Sequence, residues 1–134
     1  PSKTIDGIGM GMYGNLDKSL YENNFITHIK KKMGLSYLRH SSFLNKKIKK
    51  VAVLGGSGSF AINTAIDEKI DCFITSDLKY HDFFKANNQI LLIDIGHYES
   101  EQFTKELIFN YLIKKIPKFA CIITNTKTNP VNYF

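Results

Sequence analysis

The chain has 134 residues, 43% of them hydrophobic, which is enough for one buried core and points to one compact domain. No apolar stretch approaches the ~18 residues a spanning helix needs, and the 134 residues, beginning with Pro1, contain no charged-then-apolar leader, so no membrane partner is expected. The net charge of +6, from 18 basic and 12 acidic residues, leaves nucleic acid or an anionic small molecule open as a partner. The excess gathers in Lys30-Lys31-Lys32, in Lys46-Lys47 with Lys49-Lys50, and in Lys114-Lys115 with Lys118. These runs stand at expected helix ends and before a strand, where lysines also serve solubility and the negative end of a helix dipole.

Residues 1–16 carry Gly7, Gly9, Gly11 and Gly14 and read as a loop, with one short strand through Ile8, Met10 and Met12. Residues 17–33 read as a helix, with Asn24 as N-cap and Gly34 as the stop. Residues 35–40 read as an edge strand. From Ile48 the pattern becomes regular: a strand over 50–54, a glycine loop over 55–59, a short helix over 60–69 and a strand over 71–75. A short helix over 81–87, a strand over 90–95, a long helix over 98–116 and a last strand over 119–124 follow. The tail to Phe134 ends on two aromatics and is expected to pack down. Strands alternating with helices at these lengths predict an α/β fold, a layered and largely parallel sheet with helices on its faces. Cys72 and Cys121 each fall in an expected strand, and no CxxC occurs. Buried free thiols in a reducing, cytoplasmic compartment are the expectation.

In such a sheet the loops at the carboxyl ends of the strands share one edge, where ligands bind. The rim here is expected to carry Gly55–Ser59, Thr75–Asp82 and Gly96–Glu101. His97 and Glu101 are four residues apart, so a helix starting by Tyr98 brings them to one face, about 5–6 Å apart at Cβ. That spacing suits either a shared metal ion or a solvated hydrogen-bonded pair. Gly56-Ser57-Gly58-Ser59-Phe60-Ala61 fits G-x-G-x-x-A between a strand and a helix, with Asp77 placed 19 residues beyond Gly58. Its amides, with the Ser57 and Ser59 hydroxyls, could hold an anion or phosphate; equally, the glycines could serve only a tight turn. No Gly-Lys-Ser/Thr follows, which excludes a Walker loop, and no His and acid complete a nucleophile elbow. His81, beside Asp82 and near Asp77, is a candidate for proton transfer or ligation, or simply a hydrogen-bonded histidine at a helix start. His28 and His40 read as surface or packing residues.

Three motifs then stand in order: Val51-Ala52-Val53-Leu54-Gly55-Gly56-Ser57-Gly58-Ser59, Thr75-Ser76-Asp77-Leu78-Lys79-Tyr80-His81-Asp82, and Asp94-Ile95-Gly96-His97-Tyr98-Glu99-Ser100-Glu101. With the closing Asn129-Pro130-Val131-Asn132-Tyr133, they resemble the NGG-interacting factor three-like family, whose members are also called GTP cyclohydrolase I type II homologues. The resemblance covers residues 48–134 closely and the first 47 more loosely, and it implies the C-terminal portion of a longer protein. Residues 1–47 are then an entry segment with a connecting helix, and 48–134 an α/β metal-site domain. Ser76 stands where the family carries Gly in a Thr-Gly-Asp motif.

What the resemblance implies is a cytoplasmic α/β protein with a dinuclear centre of a divalent transition metal (zinc, iron, manganese or cobalt), assembled as a homo-oligomeric ring, often a hexamer. It implies that His97 and Glu101 are two of the metal ligands, with His81 and Asp77 as supporting or proton-carrying candidates. The family's other ligands include an N-terminal His-His pair, and this chain has no adjacent histidines. The implied activity of the intact protein is metal-dependent hydrolysis of a nucleotide-like or phosphorylated small molecule. A non-catalytic oligomerising or regulatory module is the alternative, and a nucleotide- or nucleic-acid-binding module the third.

Overall fold

The structure, a computed structural model, describes residues 4–5 and 8–132; Gly7 and the closing Tyr133 and Phe134 lie outside them. The chain divides into two units, Pro1–Ser100 and Glu101–Phe134. In the first, β1 (Thr4–Ile5) and β2 (Ile8–Gly9) form an antiparallel pair. A five-stranded sheet follows, made of β3 (Met12–Tyr21), β4 (Arg39–His40), β5 (Lys47–Ser57), β6 (Cys72–Ser76) and β7 (Leu91–Asp94). Its spatial order is β3-β5-β6-β7-β4. The neighbours β5, β6 and β7 run parallel, while β3 and β4 pair antiparallel to them at the two edges. This is the expected α/β fold with a mostly parallel sheet.

Central parallel strands are buried on both faces and therefore read as continuous apolar runs. Successive side chains alternate between faces, and the core divides accordingly. Phe73 and Leu92 join one layer with Leu54, Ile62, Ala65 and Ile70. Cys72, Ile74, Leu91 and Ile93 join the other with Phe25, Leu35 and Ile48. Helix α1 (Glu22–Met33) covers the second face through Phe25, with Ile26, Ile29 and Met33 beside it. Helix α2 (Ile62–Asp67), entered through a 3-10 turn at Ser59–Ala61, covers the first. Gly34 ends α1 in the left-handed conformation, φ 65°, and its N–H donates to the Lys30 carbonyl, as its placement predicted.

Several local expectations are corrected. Residues 12–21 form not a loop and helix start but the ten-residue β3, which pairs with β5 from Met12↔Val53 to Tyr21↔Lys47. Helix α1 consequently begins after Tyr21 rather than at Asn24. Glu22 in its first turn is buried and accepts the Leu44 N–H at 2.8 Å, tying the following connection to the helix. The edge strand is only Arg39–His40. The long C-terminal helix is two helices, α3 (His97–Glu101) and, in the second unit, α4 (Thr104–Lys115). Residues 119–124 form no strand, because a strand needs a ladder partner and the second unit has no other strand among the described residues. Ile122 is 92% exposed, and Cys121 is half-buried rather than buried.

The lysines have local work. Lys30–Lys32 and Lys114–Lys115 occupy the last turns of α1 and α4, where they oppose the negative helix end. Along β5, Lys49 Nζ donates to the Leu16 and Asp17 carbonyls. Lys50 Nζ donates to the Glu68 carbonyl at 2.6 Å and lies 4.7 Å from the Tyr13 ring centroid. No helix among the described residues is long and apolar enough to cross a membrane.

Candidate functional site

Strands β6 and β7 are parallel neighbours, in register at Thr75↔Asp94, so the loops leaving their carboxyl ends emerge side by side. After β6, Asp77 turns the chain with φ 56°; after β7, Gly96 does the same with φ 88°. The two turns bring together side chains 20 residues apart: His97 Nδ1 lies 2.6 Å from Asp77 Oδ2. Both side chains are about half exposed (52% and 45%), so the pair opens to solvent at the rim. A carboxylate accepts, so this contact calls for the proton at Nδ1, and in the neutral ring Nε2 then carries the lone pair. This is the tautomer a metal-ligating histidine needs, with the carboxylate orienting the ring from behind.

Asp77 therefore serves His97, whereas proximity in the sequence had grouped it with His81. His81 sits on the 3-10 segment Tyr80–Ala86, its ring centroid 5.2 Å from that of Tyr80 and 6.2 Å from that of Phe84. Asp82 turns to its own neighbours: its carboxylate accepts the Lys85 ammonium at 2.6 Å and the Lys79 N–H at 2.9 Å. The Lys85 hydrogen bond, then that of Lys79, hold its carboxyl below the ordinary aspartate range. His97 opens α3 and Glu101 closes it. The division between the units falls directly before Glu101. Among the described residues no three His, Cys, Asp or Glu side chains converge as a metal cluster.

Beneath the His97–Asp77 pair lies a group that residue spacing did not single out. Asp94 is 4% exposed, and its Oδ2 accepts the Leu78 N–H at 2.9 Å while Oδ1 accepts the Gly96 N–H at 3.0 Å. The Arg39 guanidinium completes the set: one nitrogen donates both to Asp94 Oδ2 and, at 2.8 Å, to the Leu78 carbonyl. The signal was an Asp at the last position of an apolar strand, a place where a carboxylate stays only if it is paired.

The glycine segment is a structural corner. Residues 55–57 continue β5 past an irregularity in register, with Ser57 opposite Ser76. The buried Gly56 donates its N–H to Ser100 Oγ at 2.9 Å. Its carbonyl accepts the Ser76 hydroxyl at 2.6 Å and the Thr75 hydroxyl at 3.1 Å. Ser100 Oγ in turn donates to the His97 carbonyl at 2.8 Å, so the corner grips the first turn of α3. Gly58 is buried with φ −116°, an ordinary value; what excludes a side chain is space, since a Cβ there would stand 2.1 Å from Thr75 Oγ1. Of the proposed anion contacts, the Gly56 amide is thus taken by the protein, whereas Ser57 is exposed and Ser59 half-buried. A cavity of about 300 Å³ lies elsewhere, between α2 and the β3–β5 pair, lined by Met10, Tyr13, Leu54, Ala65 and Phe73. It holds none of the rim residues.

The chain is similar to a GTP cyclohydrolase 1 type 2 homolog of Campylobacter jejuni, 42% identical over 107 residues, covering 79% of this chain and 42% of that protein. A homolog of the same name from Staphylococcus epidermidis is 32% identical over 129 residues, covering 93% of this chain and 35% of its own length. In three dimensions the fold matches a Staphylococcus aureus protein of known crystal structure with a TM-score of 0.80 at 29% identity, over 94% of this chain and 42% of that one. The chain thus spans about two fifths of the length of these relatives. The family described as Duf34/NIF3 (NGG1p interacting factor 3) matches residues 2–130, and the chain belongs to that family.

Proposed function

We propose that this chain is the metal-binding portion of a longer metal-dependent hydrolase acting on nucleotide-like or other phosphorylated small molecules. The observation that supports this reading is the 2.6 Å contact of His97 Nδ1 with Asp77 Oδ2, which fixes the ring and presents Nε2 as the donor nitrogen. Glu101, four residues along the sequence, is the proposed companion ligand. A mixed imidazole and carboxylate set suits zinc, iron, manganese or cobalt. Catalytic zinc takes three protein ligands, and 134 residues without adjacent histidines do not supply the rest; residues outside this chain are proposed to complete a dinuclear site, in a homo-oligomer.

When bound, the metal would supply hydroxide at neutral pH and polarise the bond to be broken. The chain's own parts are simpler. Asp77 orients the His97 ring and holds the proton at Nδ1. Ser57 and Ser59, on the same rim, are the proposed hydroxyl donors to an anionic substrate group. Elemental analysis of the purified chain after incubation with zinc, manganese, iron or cobalt and removal of unbound ion tests the reading. Retained metal that is lost in both His97→Ala and Glu101→Ala supports it. Metal retained equally by both variants, or none retained by the wild type, counts against this chain as a metal-binding unit.

A further inference from the structure

We infer that the buried Asp94, charge-balanced by Arg39, is the positioning device that sets the His97–Asp77 pair; this rests on the metal reading above for its purpose but not for its geometry. Asp94 is the last residue of β7 and is 4% exposed. Its two carboxylate oxygens reach in two directions. Oδ2 takes the N–H of Leu78, the residue directly after Asp77. Oδ1 takes the N–H of Gly96, the residue directly before His97. One rigid carboxylate thereby links the backbone on both sides of the pair. Asp77 has positive φ, which a non-glycine residue adopts only rarely, so its turn is not held by ordinary backbone preference. Gly96 can take either sign of φ, so its turn is not fixed by its own backbone.

A buried carboxylate bound only by amides would be costly, and Arg39 supplies the compensating charge. The same Arg39 nitrogen also bonds the Leu78 carbonyl, so both polar groups of the Leu78 peptide flank are fixed from one point. The guanidinium carbon lies 5.5 Å from the Phe83 ring centroid, which limits its movement. Arg39 comes from the two-residue edge strand β4, whose pairing Arg39↔Asp94 puts the two directly opposite each other. Edge strand, central strand and both rim turns are joined through this carboxylate. Without it, the turn carrying Asp77 and the turn carrying His97 would be set independently, and the short contact between them would loosen.

The test uses Arg39→Gln, which removes no buried side chain but takes away the charge that balances Asp94, with Asp94→Asn as the second variant. Long-range ¹H–¹⁵N NMR reads which His97 nitrogen is protonated in the metal-free chain, at a temperature where circular dichroism shows each variant folded. The wild type is expected to show Nδ1–H, and both variants a shift toward Nε2–H. Arg39→Lys should restore the wild-type pattern, since one nitrogen makes both contacts. Zinc titration of the same samples should show affinity about tenfold weaker or more in Arg39→Gln, the usual scale for loss of an outer partner. An unchanged His97 tautomer and unchanged zinc affinity in both variants would overturn the inference. Zinc binding absent from the wild type, with the tautomer shift present, would sink the metal reading and leave the positioning role standing.

Discussion

Gly58→Ala is expected to destabilise the protein by about 2–4 kcal/mol, through crowding alone. At φ −116° the backbone accepts alanine, so no conformational penalty enters. The added Cβ would stand 2.1 Å from Thr75 Oγ1, 3.0 Å from Thr75 Cβ and 3.3 Å from Leu54 Cδ2. Thr75 is fully buried and branched at Cβ, so it has little room to turn away. Overfilling a packed site costs about 1–3 kcal/mol. Rotating the Thr75 hydroxyl off the Gly56 carbonyl adds about 1 kcal/mol. Against a typical stability of about 5–15 kcal/mol the variant stays folded but melts earlier. Urea denaturation followed by circular dichroism reads the difference, with Thr75→Ala as a second background. There the same alanine should cost about half as much or less, because its principal obstacle is gone. An unchanged midpoint for Gly58→Ala in the wild-type background would refute the packing argument and return the glycine to a ligand-binding role.

Other outcomes follow from the same contacts. Ser100→Ala leaves the buried Gly56 N–H without its acceptor and should cost about 1–3 kcal/mol in thermal unfolding, while Ser100→Thr should largely restore it. The Cys72 thiol is fully buried and its pKa is pushed well up, chiefly by burial and then by the charges of Asp71 and Glu22. Iodoacetamide at neutral pH should therefore label Cys121 in the native chain and Cys72 only after denaturation, as peptide mass mapping would show. Asp82 has its pKa lowered by the Lys85 and Lys79 hydrogen bonds, so the unfolded chain takes up that proton first as pH falls. Its contribution is complete above the ordinary aspartate range and is lost progressively as pH falls from about 4 through the lowered value of the folded state. Asp82→Asn should flatten the acid limb of the stability curve there, by less than about 1 kcal/mol because Lys85 is 45% exposed.

The legible part of the fold was its centre. Strands β6 and β7 are buried on both sides, so their apolar runs declared them. The apolar run over 51–54 marked the half-buried middle of β5, and Gly34 marked the end of α1 at the required positive φ. Strand β3 was hidden for the opposite reason. It is an edge strand, mostly exposed, with Gly14 inside it, and its partners are the β5 backbone and lysines stacked on Tyr13 and Tyr21. Nothing in its own residues declares such a ladder. Residues 119–124 show the reverse, having an apolar composition but forming no strand among the described residues.

At the rim, His97 and Asp77 were both found, but their partnership was not. Asp77 precedes His81 by four residues and His97 by twenty, and short separation favoured the wrong histidine. Only strand order decides the matter, because adjacent parallel strands deliver their loops together. Asp94 is not legible as a rim residue from the sequence, because its partner Arg39 lies 55 residues away in the chain and only the β7–β4 pairing sets the two opposite each other. The glycine motif was legible as a strand-to-helix corner, whereas its hydrogen bonds with Ser76 and Ser100 depend on the end of β6 and on α3 meeting it.

The central claim is that His97 offers Nε2 to a metal while Asp77 holds Nδ1. X-ray diffraction from zinc-soaked crystals, collected above and below the zinc absorption edge, tests it most directly. The account predicts an anomalous peak about 2.0–2.1 Å from His97 Nε2, with the Nδ1 contact to Asp77 retained. A zinc peak on Nδ1 with Asp77 displaced, or zinc bound only away from His97, would contradict it.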